Sequence, residues 1–247
     1  MQFKDLFSKH ATDYARFRPR YPAALFVWLA SLAPEHELAV DVGAGNGQAA
    51  GELAKHFRKV IAVEPSAQQV ANATPATGVS FVQGSASALG MDAASTDLVV
   101  SAQAFHWFDR KAFFGEVSRV LRPSGCLAVW CYGLTKIAPA IDELVYELYE
   151  ARLGRYWDPE RKLVESGYRD VEFPFAEIEA PPFEMRLDWS FEHLIGYLGT
   201  WSALKRHIDV EGTNPLEEML PRLQAAWAPD GERPVTWPIS LRAFRHS

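Results

Sequence analysis

The sequence predicts an α/β protein built on a mainly parallel sheet of seven strands, with helices on both faces and a helical cap. Three observations predict it. Short β-branched apolar runs alternate with helix-length intervals through the first half of the chain, which is the pattern of a parallel sheet with crossover helices. The first run ends in a glycine cluster, and beyond Gly133 the rhythm gives way to aromatic-rich, helix-like segments and a strand-like tail. At 247 residues, 48% hydrophobic and 23% charged, the chain can bury a full core as one domain with its cap.

Taken in order, Leu38 to Val42 reads as the first buried strand, and Gln48 to Phe57 has helical spacing with Ala49, Leu53 and Phe57 on one side. Lys59 to Val63 is the second strand, ending at Glu64. Ser66 caps a helix running to Ala73. Val79 to Gln83 and Asp97 to Ser101 give the third and fourth strands. Arg110 to Leu121 is an amphipathic helix stopped before Pro123 and Gly125, and Leu127 to Tyr132 is the fifth strand. Ile137 to Leu153 and Phe191 to Ile208 read as cap helices over the strand ends, with strands near Phe183 to Trp189 and Val235 to Phe244 completing the sheet edge. The expected organisation is one domain: N-terminal lid helices (1–30), a cofactor-binding core (31–133), cap and sheet-edge elements (134–234) and a final strand (235–247).

Composition narrows the function. No stretch approaches the ~18 uninterrupted apolar residues of a membrane span, and the N-terminus lacks a secretory apolar core, so a cytoplasmic protein without a membrane partner is expected. Cys126 and Cys131 share one apolar run and read as buried, reduced thiols. No metal-ligand cluster is visible, so no metal is expected. The net charge of −6 argues against a nonspecific nucleic-acid binder, although Arg16, Arg18 and Arg20 form a local basic patch suited to an acidic substrate.

The segment Val40-Asp41-Val42-Gly43-Ala44-Gly45-Asn46-Gly47 runs from strand to glycine turn to helix. Glycine suits this place because a side chain would keep an adenosine-type ligand from approaching the backbone at the strand's carboxyl end. Glu64 closes the next strand, where a carboxylate can accept hydrogen bonds from both ribose hydroxyls. A nicotinamide oxidoreductase is the rival reading. Its G-x-G-x-x-G fingerprint needs glycine where this chain has Gln48, and its pyrophosphate disfavours nearby negative charge. Asp41 instead suits a cofactor with a cationic amino group and a sulfonium. For both acids the alternative is a strand-end carboxylate that caps local backbone.

With these motifs the sequence resembles the class I S-adenosylmethionine-dependent methyltransferases, and among them the type 11 small-molecule group that includes trans-aconitate-methyltransferase-like proteins. VDVGAGNG resembles the family's first motif, Gln103 to Asp109 the segment after the fourth strand, and Leu121 to Trp130 the fifth-strand motif. Phe7 to Pro22, Tyr156 to Arg161 and Thr200 to Leu204 are similar to the group's lid and cap signatures. The resemblance implies a Rossmann-like fold and methyl transfer from S-adenosyl-L-methionine, leaving S-adenosyl-L-homocysteine, to an O, N or C atom of a small molecule, a carboxylate among the candidates. It places Asp41, Gly43, Gly45 and Gly47 around the methionine part, Glu64 and Pro65 at the ribose, and Ser85 and Ala86 beside adenine. Many relatives carry an acid at that last position; here the contact falls to the Ser85 hydroxyl or backbone. Gln103 and Ala104 lie near the cofactor's amino-acid end, with His106 and Trp107 on the substrate side.

Methyl transfer from a sulfonium is an in-line displacement whose main demand is alignment and exclusion of water. A carboxylate acceptor needs no base, whereas a hydroxyl or amine benefits from one, and His106 is the best-placed candidate, its alternative being a packed strand-end histidine. Tyr14, Arg18 and Tyr21 would lie on a lid over the cofactor, with Arg18 clamping a substrate carboxylate, against the alternative of a simple docking helix. Trp107 and Trp201 are candidate substrate walls, while Tyr197 reads as ordinary core. A noncatalytic S-adenosylmethionine sensor stays open, as does the choice between monomer and homodimer.

Overall fold

The central β-branched runs become strands buried on both faces, as a parallel sheet covered by helices requires. The computed structural model describes residues 19–229 and 231–247. In chain order, α1 (Ala23–Leu32), β1 (Leu38–Val42), α2 (Gln48–Leu53), β2 (Lys59–Glu64), α3 (Ala67–Ala71), β3 (Val79–Gln83), β4 (Thr96–Ala102), α4 (Arg110–Val120) and β5 (Leu121–Tyr132) form the first half. They are followed by α5 (Pro139–Tyr146), α6 (Arg161–Glu165), β6 (Ala176–Ile178), β7 (Phe183–Trp189), α7 (Phe191–Gly199), α8 (Ser202–Glu211), α9 (Pro215–Trp227) and β8 (Arg233–Arg245). Local chemistry sets the helix starts: Ser66 accepts the Gln69 N–H at 3.2 Å, and Asp109 accepts that of Ala112 at 3.1 Å.

The sheet runs β3-β2-β1-β4-β5-β8-β6, with β7 paired to the first half of β8. Strands β1 to β5 are parallel, and β8 lies antiparallel to β5, β6 and β7. Strand order reverses at β1, which has β2 on one side and β4 on the other, and a crevice opens at such a reversal beyond the carboxyl ends. One apolar cluster fills the face bearing Leu25, Phe26, Leu53 and Trp130 and continues into the cap through Leu194 and Trp237. A second, with Val40, Val99, Phe113, Val117 and Phe244, fills the opposite face.

The differences from expectation have local causes. An eighth strand, β6, is only three residues long and too short to carry an alternation signal; Arg242 of β8 holds it through Glu177 at 2.8 Å. The fifth strand starts at Leu121, straight out of α4. Leu121 pairs with Thr96 before a bulge restores register at Leu98 and Cys126. The segment expected to be helical from Ile137 to Leu153 is α5, begun by Pro139, followed by a π turn over Glu147–Arg152. The helix expected over Phe191 to Ile208 breaks into α7 and α8. The Thr200 hydroxyl donates to the Tyr197 carbonyl at 2.6 Å, and extended backbone at Trp201 turns its indole into the core. Among the described residues no helix is long and apolar enough to cross a membrane.

Candidate active site

The turn after β1 is held by the neighbouring strand, since the N–H groups of Gly43 and Ala44 both donate to the Val63 carbonyl, at 2.8 and 3.2 Å. Gly43 has φ +72°, and a Cβ there would lie 2.5 Å from that of Ala104. Glycine is therefore demanded first by the protein's own backbone and packing, and only then by any ligand. Glu64, 3% exposed, ties this turn to the start of α3: Oε2 accepts from Gly45 N–H at 2.9 Å and Oε1 from Ser66 N–H at 3.0 Å.

These groups form one wall of a cleft of about 900 Å³ at the carboxyl ends of β1, β2 and β4. Of the positions singled out in the sequence, Gly43, Gly45, Gly47, Glu64, Pro65, Ser85, Ala86, Gln103 and Ala104 all line it, as do Tyr21, His106, Trp107 and Trp201. Tyr14 and Arg18 lie outside the described residues. Tyr197, read as core, is both 2% exposed and on the cleft wall.

One expectation changes. Asp41 is not on the wall: strand alternation puts it on the same face as Ala39, against α2, and it is 1% exposed. Neither of its oxygens has a hydrogen-bond partner among the described residues. Burial pushes its pKa up to about 7, opposed by the nearby Ala50 N–H and reinforced by the charge of Glu64. Gln103, at φ +55°, lines the cleft with its amide bound to backbone: Nε2 donates to the Tyr132 carbonyl at 3.1 Å and Oε1 accepts the Tyr132 N–H at 2.9 Å. It staples the end of β4 to the end of β5.

The opposite wall comes from the cap; the sequence points to Trp201 there, but not to Trp157 or Arg161 as site residues. Trp157 packs edge-on to Trp201 at 5.6 Å. The Arg161 guanidinium lies 5.0 Å from the Trp157 ring centre and 5.5 Å from that of Tyr149, and its Nε donates to the Tyr149 hydroxyl at 3.1 Å. Asp158 is paired with Arg206 at 2.7 Å, and Glu160 also lines the cleft. The signal available was an aromatic followed by alternating acids and an arginine, Trp157 to Arg161. His106, 7% exposed on the turn Phe105–Trp107, has Nδ1 3.1 Å from the Tyr168 hydroxyl. Burial first, and then the charge of Arg161, push its pKa down to about 3 against a weaker pull from Asp158, so it is neutral at neutral pH.

Comparison with known proteins fits this geometry. A methyltransferase-domain family model matches residues 40–129. A Dictyostelium discoideum protein described as a candidate methyltransferase is 36% identical over 230 residues, 92% of this chain and 88% of that one. The chain belongs to the S-adenosylmethionine-dependent methyltransferases. Among solved structures, a candidate type II methyltransferase from Anaeromyxobacter dehalogenans is 46% identical with a TM-score of 0.87, covering 93% of this chain and 98% of that one. A candidate methyltransferase of an antibiotic biosynthesis pathway from Anabaena variabilis shares the fold alone, at 17% identity and a TM-score of 0.53 over 88% and 98% of the two chains. Membership in this methyltransferase family removes the nicotinamide reading. Among the described residues, no group of His, Cys, Asp and Glu has the arrangement of a metal site.

Proposed function

We propose that this methyltransferase transfers the methyl group of S-adenosylmethionine to a carboxylate oxygen of a small molecule held under its aromatic cap. The observation that carries this reading is the pairing of two walls in one cleft, the glycine turn and Glu64 on one side and Trp157, Arg161 and Trp201 on the other. The residues present suit the cofactor. Glu64 would accept hydrogen bonds from the ribose hydroxyls, and Gly43, Gly45, Gln103 and Ala104 would surround the methionine end. Pro65, Ser85 and Ala86 would flank the adenosine; the Ser85 hydroxyl lies 2.8 Å from that of Ser87. Asp41 would act on a cationic cofactor only through its field.

When bound, the cofactor would supply a methyl on a positively charged sulfur for transfer to a lone pair of the acceptor. The protein's own work is to align the acceptor and exclude water. Trp107, Trp157 and Trp201 line the space where an apolar body would rest. His106, with its pKa near 3, is a weak base, which disfavours an acceptor that must lose a proton. A carboxylate is already ionised and releases none. The two buried free thiols suit a cytoplasmic setting.

The test uses methyl-labelled S-adenosylmethionine with a pool of small carboxylic acids and, in parallel, their amides. Label released as methanol by mild alkali, and only from the acid pool, marks a methyl ester. A base-stable methylated product contradicts the carboxylate assignment.

A further inference from the structure

Which ring nitrogen of His106 carries the proton decides what the ring offers the cleft. Nδ1 faces the Tyr168 hydroxyl at 3.1 Å, and Tyr168 is fully buried, so that side is closed to any ligand. Burial raises the Tyr168 pKa well above its ordinary value, so the phenol keeps its proton. Its one hydrogen-bond partner among the described residues is the imidazole nitrogen, with the Cys131 thiol nearby. Sulfur is the weaker acceptor, and the Cys131 S–H is itself aimed at the Val164 carbonyl at 3.7 Å. The consistent assignment has Tyr168 donating to Nδ1, which leaves the hydrogen on Nε2. That nitrogen has no partner among the described residues, and the ring lines the cleft.

Arg161 is the charged neighbour of this ring. Its Nε is fixed by Tyr149, whose hydroxyl donates onward to Glu165, and its plane rests on Trp157, while its Nη groups have no partner among the described residues. Asp158, the other charge His106 feels, is held by Arg206. Two donors without a partner among the described residues thus face this side of the cleft, a neutral N–H and a cation, the combination that binds a carboxylate through charge-assisted hydrogen bonds.

We propose that Tyr168 is a positioning residue that fixes His106 as an Nε2–H donor, so that His106 and Arg161 together hold the carboxylate of the methyl acceptor. The assignment of an acceptor rests on the function proposed above, but the donor pair can be tested without the enzyme's own substrate. The probe is acetate, with acetamide as its neutral counterpart, followed by ¹⁵N NMR of histidine- and arginine-labelled protein with and without S-adenosylhomocysteine. The His106 signals are assigned by their loss in His106→Gln.

At pH 7 the expected spectrum has a protonated Nε2 and a bare Nδ1 that stays unprotonated down to pH 5. Acetate shifts the Nε2 signal and acetamide does not. Arg161→Gln should weaken the acetate response at least ~10-fold, the loss of one charge-assisted bond, with S-adenosylhomocysteine affinity unchanged. Tyr168→Phe should mix the two tautomers, which loss of packing alone would not do. A hydrogen on Nδ1 in the unmutated protein, or indifference of His106 to acetate, overturns the proposal. Loss of S-adenosylhomocysteine binding in the unmutated protein would count against the cofactor site instead and leave the tautomer result standing.

Discussion

Asp41 gives a stability test worked directly from the structure. Its carboxylate is 1% exposed, has no hydrogen-bond partner among the described residues, and has its pKa raised from 3.8 to about 7. The folded state therefore holds a proton that the unfolded state releases between pH 4 and 7, so this group lowers stability as pH rises through that window. At about 1.4 kcal/mol per pKa unit, the penalty is roughly 2 kcal/mol at pH 5 and roughly 4 kcal/mol at pH 8. Asp41→Asn keeps the shape and removes the titration. Urea denaturation of both proteins from pH 5 to 8 should show the variant gaining about 2 kcal/mol on the unmutated protein across the range. Taking the difference cancels every other titrating group. A variant that is less stable at all pH values, by a constant amount, would show that the carboxylate is paired and would refute the reasoning.

His106 should act with the opposite sign. Its folded pKa near 3 lies below the ordinary 6.5, so acid protonates the unfolded state first and stability falls as pH drops through that interval, by about 2 kcal/mol at pH 5, a slope that His106→Gln removes in the same denaturation series. Gly43→Ala forces a side chain into a positive-φ position 2.5 Å from Ala104 and should cost about 2 to 4 kcal/mol in thermal or urea unfolding; a loss under 0.5 kcal/mol would mean that the turn relaxes freely. Trp157→Ala removes the ring under Arg161 and should raise the acceptor KM by about 3- to 30-fold in steady-state assays without altering S-adenosylhomocysteine affinity.

Where periodicity is long and regular, the sequence was readable. The buried runs of β1, β2 and β4, the caps at Ser66 and Asp109, and the convergence of the glycine turn with Glu64 follow from residue type and spacing. The cap was less legible because tertiary contacts decide it. Thr200 ends a helix by bonding Tyr197, and β6 exists only because Arg242 and the edge of β8 receive it. Asp41 was placed in the cofactor site by its nearness in sequence to the glycines, although alternation with Ala39 already turned it toward α2. Arg161 reads in sequence only as part of a cap signature, because its partners Tyr149 and Trp157 form a platform only once α5 and the following turns fold back. The staple made by Gln103 is not legible in sequence, because it exists only when β5 ends beside it.

The central claim is that the turn after β1 and the carboxylate closing β2 hold the adenosine and methionine parts of S-adenosylmethionine. Titration calorimetry with S-adenosylhomocysteine tests it most directly. The account predicts one binding event per chain and a Kd weakened by about 10- to 100-fold in Glu64→Gln, the loss of ~1.5–3 kcal/mol from hydrogen bonds to a charged acceptor, in protein whose folding is verified by circular dichroism. No heat of binding from folded, unmutated protein, or an unchanged Kd in the variant, would contradict it.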